Sequence, residues 1–100
     1  MLKQRLVVGI TCASATPALL ADQSFSIVIL DEASQLTEPA SLQPIVQAGC
    51  KFLLAVGDPK QLPPVVSASG SGPTLAQPLF TRLAADYIEP ILLRRQYRCV

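Results

Sequence analysis

The sequence predicts an α/β domain built on a parallel sheet, and two observations support this fold class. Short aliphatic runs recur along the 100 residues, at positions 6–10, 26–30, 51–56 and 88–93. Segments that begin like helices lie between these runs. Continuous apolar runs of this length are typical of strands buried on both faces. Strands that alternate with helices favour a doubly wound parallel sheet.

The first half of the chain predicts two strands and two helices. Thr16-Pro17 resembles an N-cap followed by proline at the first helical position, which predicts a helix over 17–22. Thr37-Glu38-Pro39 repeats this pattern before a second predicted helix at 40–48. Pro44 removes one hydrogen bond from that helix at a cost of about 3 kcal/mol, so we expect a kink or two short helices. Gly49 is a plausible C-terminal stop.

The second half predicts a third strand, a rigid polar loop, a helix and a fourth strand. The loop, at 57–64, contains three prolines. A small-residue segment at 67–74 has the composition of a flexible loop. The helix at 75–86 carries Leu79, Phe80, Leu83 and Ala84 on one face. The fourth strand is interrupted early by Pro90 and leads into a basic C-terminal segment.

Composition limits the classes of partner. The net charge of +1 neither shows a nucleic-acid-binding surface nor excludes a local basic patch. The three cysteines, at positions 12, 50 and 99, lack metal-ligand spacing, and their odd number suits a reducing compartment. No apolar run approaches the roughly 20 residues that cross a bilayer, and the N-terminus does not resemble a signal peptide. We therefore expect a cytosolic or nuclear protein without a membrane partner.

Polar groups follow each predicted strand. Right-handed crossovers would bring Thr11, Asp31-Glu32, residues 58–61 and residues 94–98 to one edge of the sheet. Open α/β sheets bind ligands at that edge. Asp31 could hold Mg²⁺ beside a nucleotide phosphate, and Glu32 could deprotonate an attacking water. The alternative is that the two acids only form a solvated turn or a helix N-cap.

Three short motifs carry a family resemblance. They are Asp31-Glu32-Ala33-Ser34-Gln35, then Gly57-Asp58-Pro59-Lys60-Gln61-Leu62-Pro63-Pro64, then Gln96-Tyr97-Arg98. In this order and spacing they resemble motifs II, III and IV of superfamily 1 helicases. The resemblance is closest to the group of the nonsense-mediated-decay helicase and the replication helicase-nuclease. Within that group, the Gln-Tyr-Arg-Cys ending is most similar to the GRF-zinc-finger helicases.

The resemblance implies a RecA-like P-loop NTPase domain that uses ATP and Mg²⁺, with three catalytic residues. Asp31 is similar to the acid that binds Mg²⁺ and the nucleotide, and Glu32 to the general base. Gln61 resembles the motif III glutamine that senses the γ-phosphate; the alternative is a loop glutamine that bonds its own backbone. Arg98 resembles the arginine that stabilises charge on the γ-phosphate, and its planar guanidinium suits phosphate oxygens. Its alternative is a salt bridge to a nearby acid.

Four further residues are predicted to contact the nucleotide or the nucleic acid. Asp58 is predicted to contact the nucleotide because of its position in motif III. Tyr97 could stack on the adenine or pack under the strand edge. Thr11 could touch a nucleic-acid phosphate or cap the following turn. Lys60 could approach nucleic acid or remain solvated.

The chain departs from the family pattern in one respect that matters for activity. No Gly-x-x-x-x-Gly-Lys-Ser/Thr loop, which would cradle the phosphates, occurs in the sequence. We therefore interpret residues 1–100 as the C-terminal portion of a first motor domain and expect them alone to be inactive. The resemblance implies a 5′-to-3′ helicase on single-stranded nucleic acid, DNA more than RNA. It also favours the nucleus and a role in DNA repair. An RNA helicase and an inactive nucleotide-binding or regulatory module are the alternatives.

Overall fold

A computed structural model describes residues 6–66 and 76–99 of the chain. Its centre is a parallel pair of strands, β1 (Ile27–Leu30) and β2 (Phe52–Ala55), whose register pairs Ile27 with Phe52 and Leu30 with Ala55. The helices are α1 (Pro17–Leu20), α2 (Glu38–Ala48) and α3 (Leu79–Asp86), with 3-10 turns at Cys12–Ser14 and Ala33–Gln35. Helix α2 is the crossover between the strands. The predicted α/β class with a parallel sheet is confirmed.

The two faces of the sheet differ in burial. Residues directly paired in a parallel sheet point to the same face. Leu30 is buried on the face that α2 covers, since α2 packs against β1. On the other face Ile27 and Ile29 are 61% and 64% exposed. In the described part of the chain, helices therefore cover one face of the sheet and not the two of the predicted doubly wound arrangement.

The helix ends follow local capping chemistry. Thr16 caps α1 as predicted, because its Oγ1 accepts a hydrogen bond from the Leu19 N–H at 3.3 Å. Gly49 ends α2 in the left-handed conformation at φ 64°. Its N–H donates to the Val46 carbonyl, and the Cys50 N–H donates to the Ile45 carbonyl. This pair of bonds is a Schellman motif, which satisfies carbonyls at the end of the helix.

Pro44 lies inside α2 without dividing it. The helix is continuous over 11 residues, so the alternative of two short helices was wrong. The Pro44 side chain is buried, and burial of apolar surface offsets part of the cost of the lost hydrogen bond. The other helices are shorter than predicted: α1 ends at Leu20, and α3 begins after Pro78. The start of the predicted helix at residue 75 and the predicted loop at 67–74 lie outside the described residues.

Two predicted strands do not form. Residues 6–10 and 88–93 have no strand structure, and Leu6 and Ile91 are 97% and 91% exposed. A strand depends on ladder hydrogen bonds to a neighbour, and in the described part only β1 and β2 pair. These two runs have the aliphatic composition of strands, but in the described part they do not pair. Of the four predicted strand ends, those of β1 and β2 therefore share one edge of the sheet in the described part.

None of the helices in the described ranges is both long and apolar enough to cross a bilayer.

Candidate nucleotide site

The turn after β1 holds the two acidic residues in an unusual backbone conformation. Glu32 lies in the left-handed region, at φ 51° and ψ 38°. A non-glycine residue there costs of order 1–3 kcal/mol, and such strain is concentrated at functional sites. The Asp31 Oδ1 atom accepts a hydrogen bond from the Glu32 N–H at 3.0 Å, which holds the turn. Both side chains are exposed at the carboxyl end of β1.

The loop after β2 lies against this turn. The Val56 N–H donates to the Leu30 carbonyl, and the Ala33 N–H donates to the Val56 carbonyl, each at 2.8 Å. These bonds extend the strand pairing past the ends of β1 and β2. The next residue, Gly57, passes so close to the turn that an added Cβ would lie 2.8 Å from the Ser34 backbone nitrogen. The residues of motifs II and III are therefore adjacent in space.

Asp58 is the centre of the hydrogen bonds in this loop. Its N–H donates to the buried Ser34 Oγ at 3.1 Å. Its Oδ1 accepts from the Lys60 N–H at 2.9 Å, and its Oδ2 accepts from the Gln61 Nε2 at 3.3 Å. The Gln61 side chain in turn accepts from the Gln35 Nε2 at 3.4 Å. The predicted alternative for Gln61, a side chain bonded to its own backbone, does not occur.

The structure does not bring Tyr97 and Arg98 to this group. Tyr97 is 84% exposed and does not pack under a strand edge within the described residues. Within residues 6–66 and 76–99, Arg98 forms no ion pair, so its alternative role in a salt bridge is also unmet. Among the described residues, this segment forms one side-chain hydrogen bond, from the Cys99 N–H to the Gln96 Oε1. In the described ranges residues 88–93 do not pair with β1 or β2, so no ladder hydrogen bonds hold this segment at the sheet edge.

Thr11 and Lys60 are both exposed. Thr11 is the N-cap residue of the Cys12–Ser14 turn, but its hydroxyl bonds the Ser14 hydroxyl at 2.9 Å and not a backbone N–H. Partial burial raises the pKa of the neighbouring Cys12 thiol. The Lys60 side chain has no hydrogen bond or ion pair in the part of the chain that the structure describes, in keeping with the solvated alternative.

Sequence reasoning missed one ion pair beside the site. The Arg82 guanidinium on α3 binds the Glu38 carboxylate on α2 in bidentate fashion, at 2.8 Å and 2.7 Å. Hydrogen bonding from Arg82 lowers the pKa of Glu38, and the same bond raises that of Arg82. Helix α3 also packs against the Ala33–Gln35 turn. The pair joins residues 44 positions apart, so no local pattern could have revealed it.

The buried Ser34 and the close approach at Gly57 were also missed. Both residues lie inside motifs II and III, and neither has a predicted role there. The sequence does offer one indication of these contacts, because Ser34 and Gly57 are small residues beside predicted functional residues. Only small residues allow two backbone segments to approach closely.

The Asp31 carboxylate can supply one oxygen ligand to Mg²⁺. Carboxylate oxygens are hard ligands, and Mg²⁺ beside a nucleotide takes one or two carboxylates together with phosphates and waters. One Asp31 oxygen accepts the Glu32 N–H, and the residue is exposed toward solvent. No group of three acidic, cysteine or histidine residues capable of holding a metal occurs in the described ranges.

Comparison with known proteins agrees with this arrangement. A family model described as an AAA domain matches residues 1–69. The chain belongs to this family. It is 52% identical to the 5'-3' DNA helicase ZGRF1 of Mus musculus over 99% of its length. It is also 42% identical to the Regulator of nonsense transcripts 1 homolog of Neurospora crassa over 92% of its length. A third relative, the Probable helicase MAGATAMA 3 of Arabidopsis thaliana, is 38% identical over 98% of the chain.

These relatives confirm the predicted resemblance to superfamily 1 helicases. The chain spans only a small part of each of them, 5%, 8% and 12% of their respective lengths.

Proposed function

We propose that this AAA-family chain contributes the ATP-hydrolysing centre of a helicase that moves along single-stranded nucleic acid. The observation that carries the proposal is the contact between the acidic turn and the loop after β2. It places Asp31, Glu32 and Gln61 at the carboxyl end of two paired parallel strands, where α/β sheets bind ligands. Two of the relatives, ZGRF1 and MAGATAMA 3, are named as helicases and support the reaction class.

Each residue has a distinct role in the proposed reaction. Asp31 would hold Mg²⁺, which neutralises charge on the β- and γ-phosphates when bound. Glu32 would accept the proton of the attacking water. Gln61 would donate an amide N–H to a γ-phosphate oxygen. Arg98 would stabilise the charge that develops on that phosphate, which requires its exposed segment to move toward the sheet edge.

Three further residues would contact the adenine or the nucleic acid. We propose that Tyr97 stacks on the adenine, since its ring is 84% exposed and available. Lys60 and Thr11, both exposed, would approach the nucleic-acid backbone. Residues 1–100 would form the C-terminal portion of the first RecA-like motor domain of a longer helicase chain.

The DNA helicase named among the relatives favours DNA and 5′-to-3′ movement. An RNA helicase is the second candidate, because a regulator of nonsense transcripts is also a relative. Nuclear DNA repair is the cellular setting that we propose for the DNA helicase, with the cytosol as the alternative location. The three cysteines are free, as a reducing compartment requires.

The test is phosphate release by the protein that contains this chain, with single-stranded DNA and single-stranded RNA in parallel. Glu32→Gln should abolish turnover and keep ATP binding, because it removes the base and preserves size and hydrogen bonding. Asp31→Asn should also weaken Mg²⁺-dependent ATP binding. Glu89→Gln, which removes an exposed carboxylate outside the three motifs, is the control. Retention of most ATPase activity by Glu32→Gln would contradict the proposal and favour a regulatory module.

A further inference from the structure

The carboxylate of Asp58 is already engaged by its own loop. Oδ1 accepts the Lys60 N–H and Oδ2 accepts the Gln61 side-chain N–H, at 2.9 Å and 3.3 Å. The Asp58 carbonyl also accepts the Gln61 backbone N–H at 3.1 Å. A carboxylate accepts hydrogen bonds and carries negative charge, so it would repel a phosphate. Asp58 is therefore poorly suited to the direct nucleotide contact that its motif suggested.

These bonds fix the orientation of the Gln61 amide. An amide has one accepting end and one donating end. The donating Nε2 faces the Asp58 carboxylate, and the accepting Oε1 faces the Gln35 Nε2. A flipped amide would place an oxygen against the carboxylate and a nitrogen against another nitrogen. Nε2 carries a second N–H, which this orientation leaves available for another acceptor.

Asp58 is itself held from the acidic turn. The Ser34 side chain is 4% exposed, and its Oγ accepts the Asp58 N–H at 3.1 Å. Two hydrogen bonds therefore connect the acidic turn to Gln61: Asp58 donates its N–H to Ser34 in the turn, and its carboxylate accepts from the Gln61 amide.

We infer that Asp58 is a positioning residue, which orients the Gln61 amide so that its second N–H can reach the γ-phosphate. This inference rests on the proposed ATPase function and deepens it. Asp58 contributes to the reaction only through Gln61 and makes no contact with the nucleotide.

A double-variant cycle in the ATPase reaction tests the inference. Asp58→Asn keeps the size of the side chain but replaces one acceptor by a donor, which favours the flipped amide. Asp58→Asn should lower kcat by about 10- to 100-fold. This loss should not exceed the loss in Gln61→Ala, because removing one hydrogen-bond donor to the phosphate lowers kcat by about 10²- to 10³-fold. The KM for ATP should change by less than about twofold, since ground-state binding is not affected. The double variant should be no slower than Gln61→Ala alone.

Two results would overturn the inference. If the losses in kcat multiply in the double variant, Asp58 acts independently of Gln61. If Asp58→Asn changes the KM for ATP or the Mg²⁺ requirement by an order of magnitude, it contacts the nucleotide or its metal. Glu32→Gln and Glu89→Gln in the same series separate the two hypotheses. If Glu32→Gln does not abolish hydrolysis, the proposed function is refuted. If Glu32→Gln is inactive but the kcat losses of Asp58→Asn and Gln61→Ala multiply in the double variant, the inference alone is refuted.

A spectroscopic measurement tests the orientation without turnover. With ¹⁵N-labelled glutamine, the side-chain amide resonances of Gln61 should shift in Asp58→Asn and stay in place in Glu89→Gln. Far-UV circular dichroism of each variant verifies that the fold is retained. Unchanged Gln61 resonances in a folded Asp58→Asn variant would show that the carboxylate does not hold the amide.

Discussion

Gly57→Ala is the sharpest probe of the contact that joins the acidic turn to the loop after β2. The added Cβ would lie 2.8 Å from the Ser34 backbone nitrogen, 3.0 Å from its Oγ and 3.3 Å from the Ala33 backbone nitrogen. The nearest obstacle is backbone, which cannot rotate away like a flexible side chain. The loop and the turn must therefore separate.

The size of the effect follows from two contributions. Overpacking a tight site costs about 1–3 kcal/mol. Separation also lengthens the Asp58 N–H to Ser34 Oγ bond, and such a bond contributes about 0.5–1.5 kcal/mol net. Because separation relieves part of the overpacking, the two costs do not add fully. We expect Gly57→Ala to lower the free energy of unfolding by about 1–3 kcal/mol.

Two other glycines serve as matched controls. Gly9 has nothing within 4 Å of the position of a Cβ, so Gly9→Ala should be neutral or stabilising by up to about 1 kcal/mol. Gly49 has space, with its nearest atom at 3.9 Å, but its φ of 64° is costly for alanine. Gly49→Ala should therefore lose about 1–2 kcal/mol through backbone strain alone.

The assay is urea unfolding of the wild type and the three glycine variants, monitored by far-UV circular dichroism. With a urea dependence of about 1–3 kcal/mol per molar, a loss of 2 kcal/mol moves the midpoint by about 1 M. Phosphate release by the protein that contains this chain should also fall in Gly57→Ala, because the shift carries Asp58 and Gln61 away from the turn. A Gly57→Ala variant as stable as Gly9→Ala would refute the close approach of the two segments.

Two further predictions concern the charged residues. Arg98→Ala should lower turnover by about 1,000-fold or more with little change in ATP affinity. Arg98→Lys should restore little of this activity, because an ammonium lacks the planar fork of a guanidinium. Arg95→Ala is the control, and full activity in Arg98→Lys would indicate a simple ion pair. Hydrogen bonding from Arg82 lowers the pKa of Glu38 below its ordinary 4.5, so the stabilisation from this pair is complete above that value and disappears as the pH falls through the lowered pKa. In urea unfolding between about pH 6 and pH 2, the stability difference between the wild type and Glu38→Gln should shrink toward acid; a constant difference would exclude this linkage.

The sequence by itself determined the fold class and the identity of the helicase motifs. Aliphatic runs of strand length and the N-cap at Thr16 depend on local chemistry, and both β1 and the start of α1 appear as predicted. The same holds for Gly49, where the need for a left-handed residue is local. Motifs II and III lie directly after β1 and β2, so their adjacency followed from parallel pairing.

Only the tertiary structure decided which aliphatic runs pair and which polar groups meet. Residues 88–93 have the same composition as a strand, yet in the described part they lack a neighbour and stay exposed. The Glu38–Arg82 pair, the Ser34 bond to Asp58 and the contact of Gln35 with Gln61 link residues 24 to 44 positions apart. Such contacts depend on how elements pack in three dimensions, and neither residue type nor spacing encodes that packing locally. The physical reason is that capping is decided within one turn of chain, whereas pairing and close approach require a partner from elsewhere.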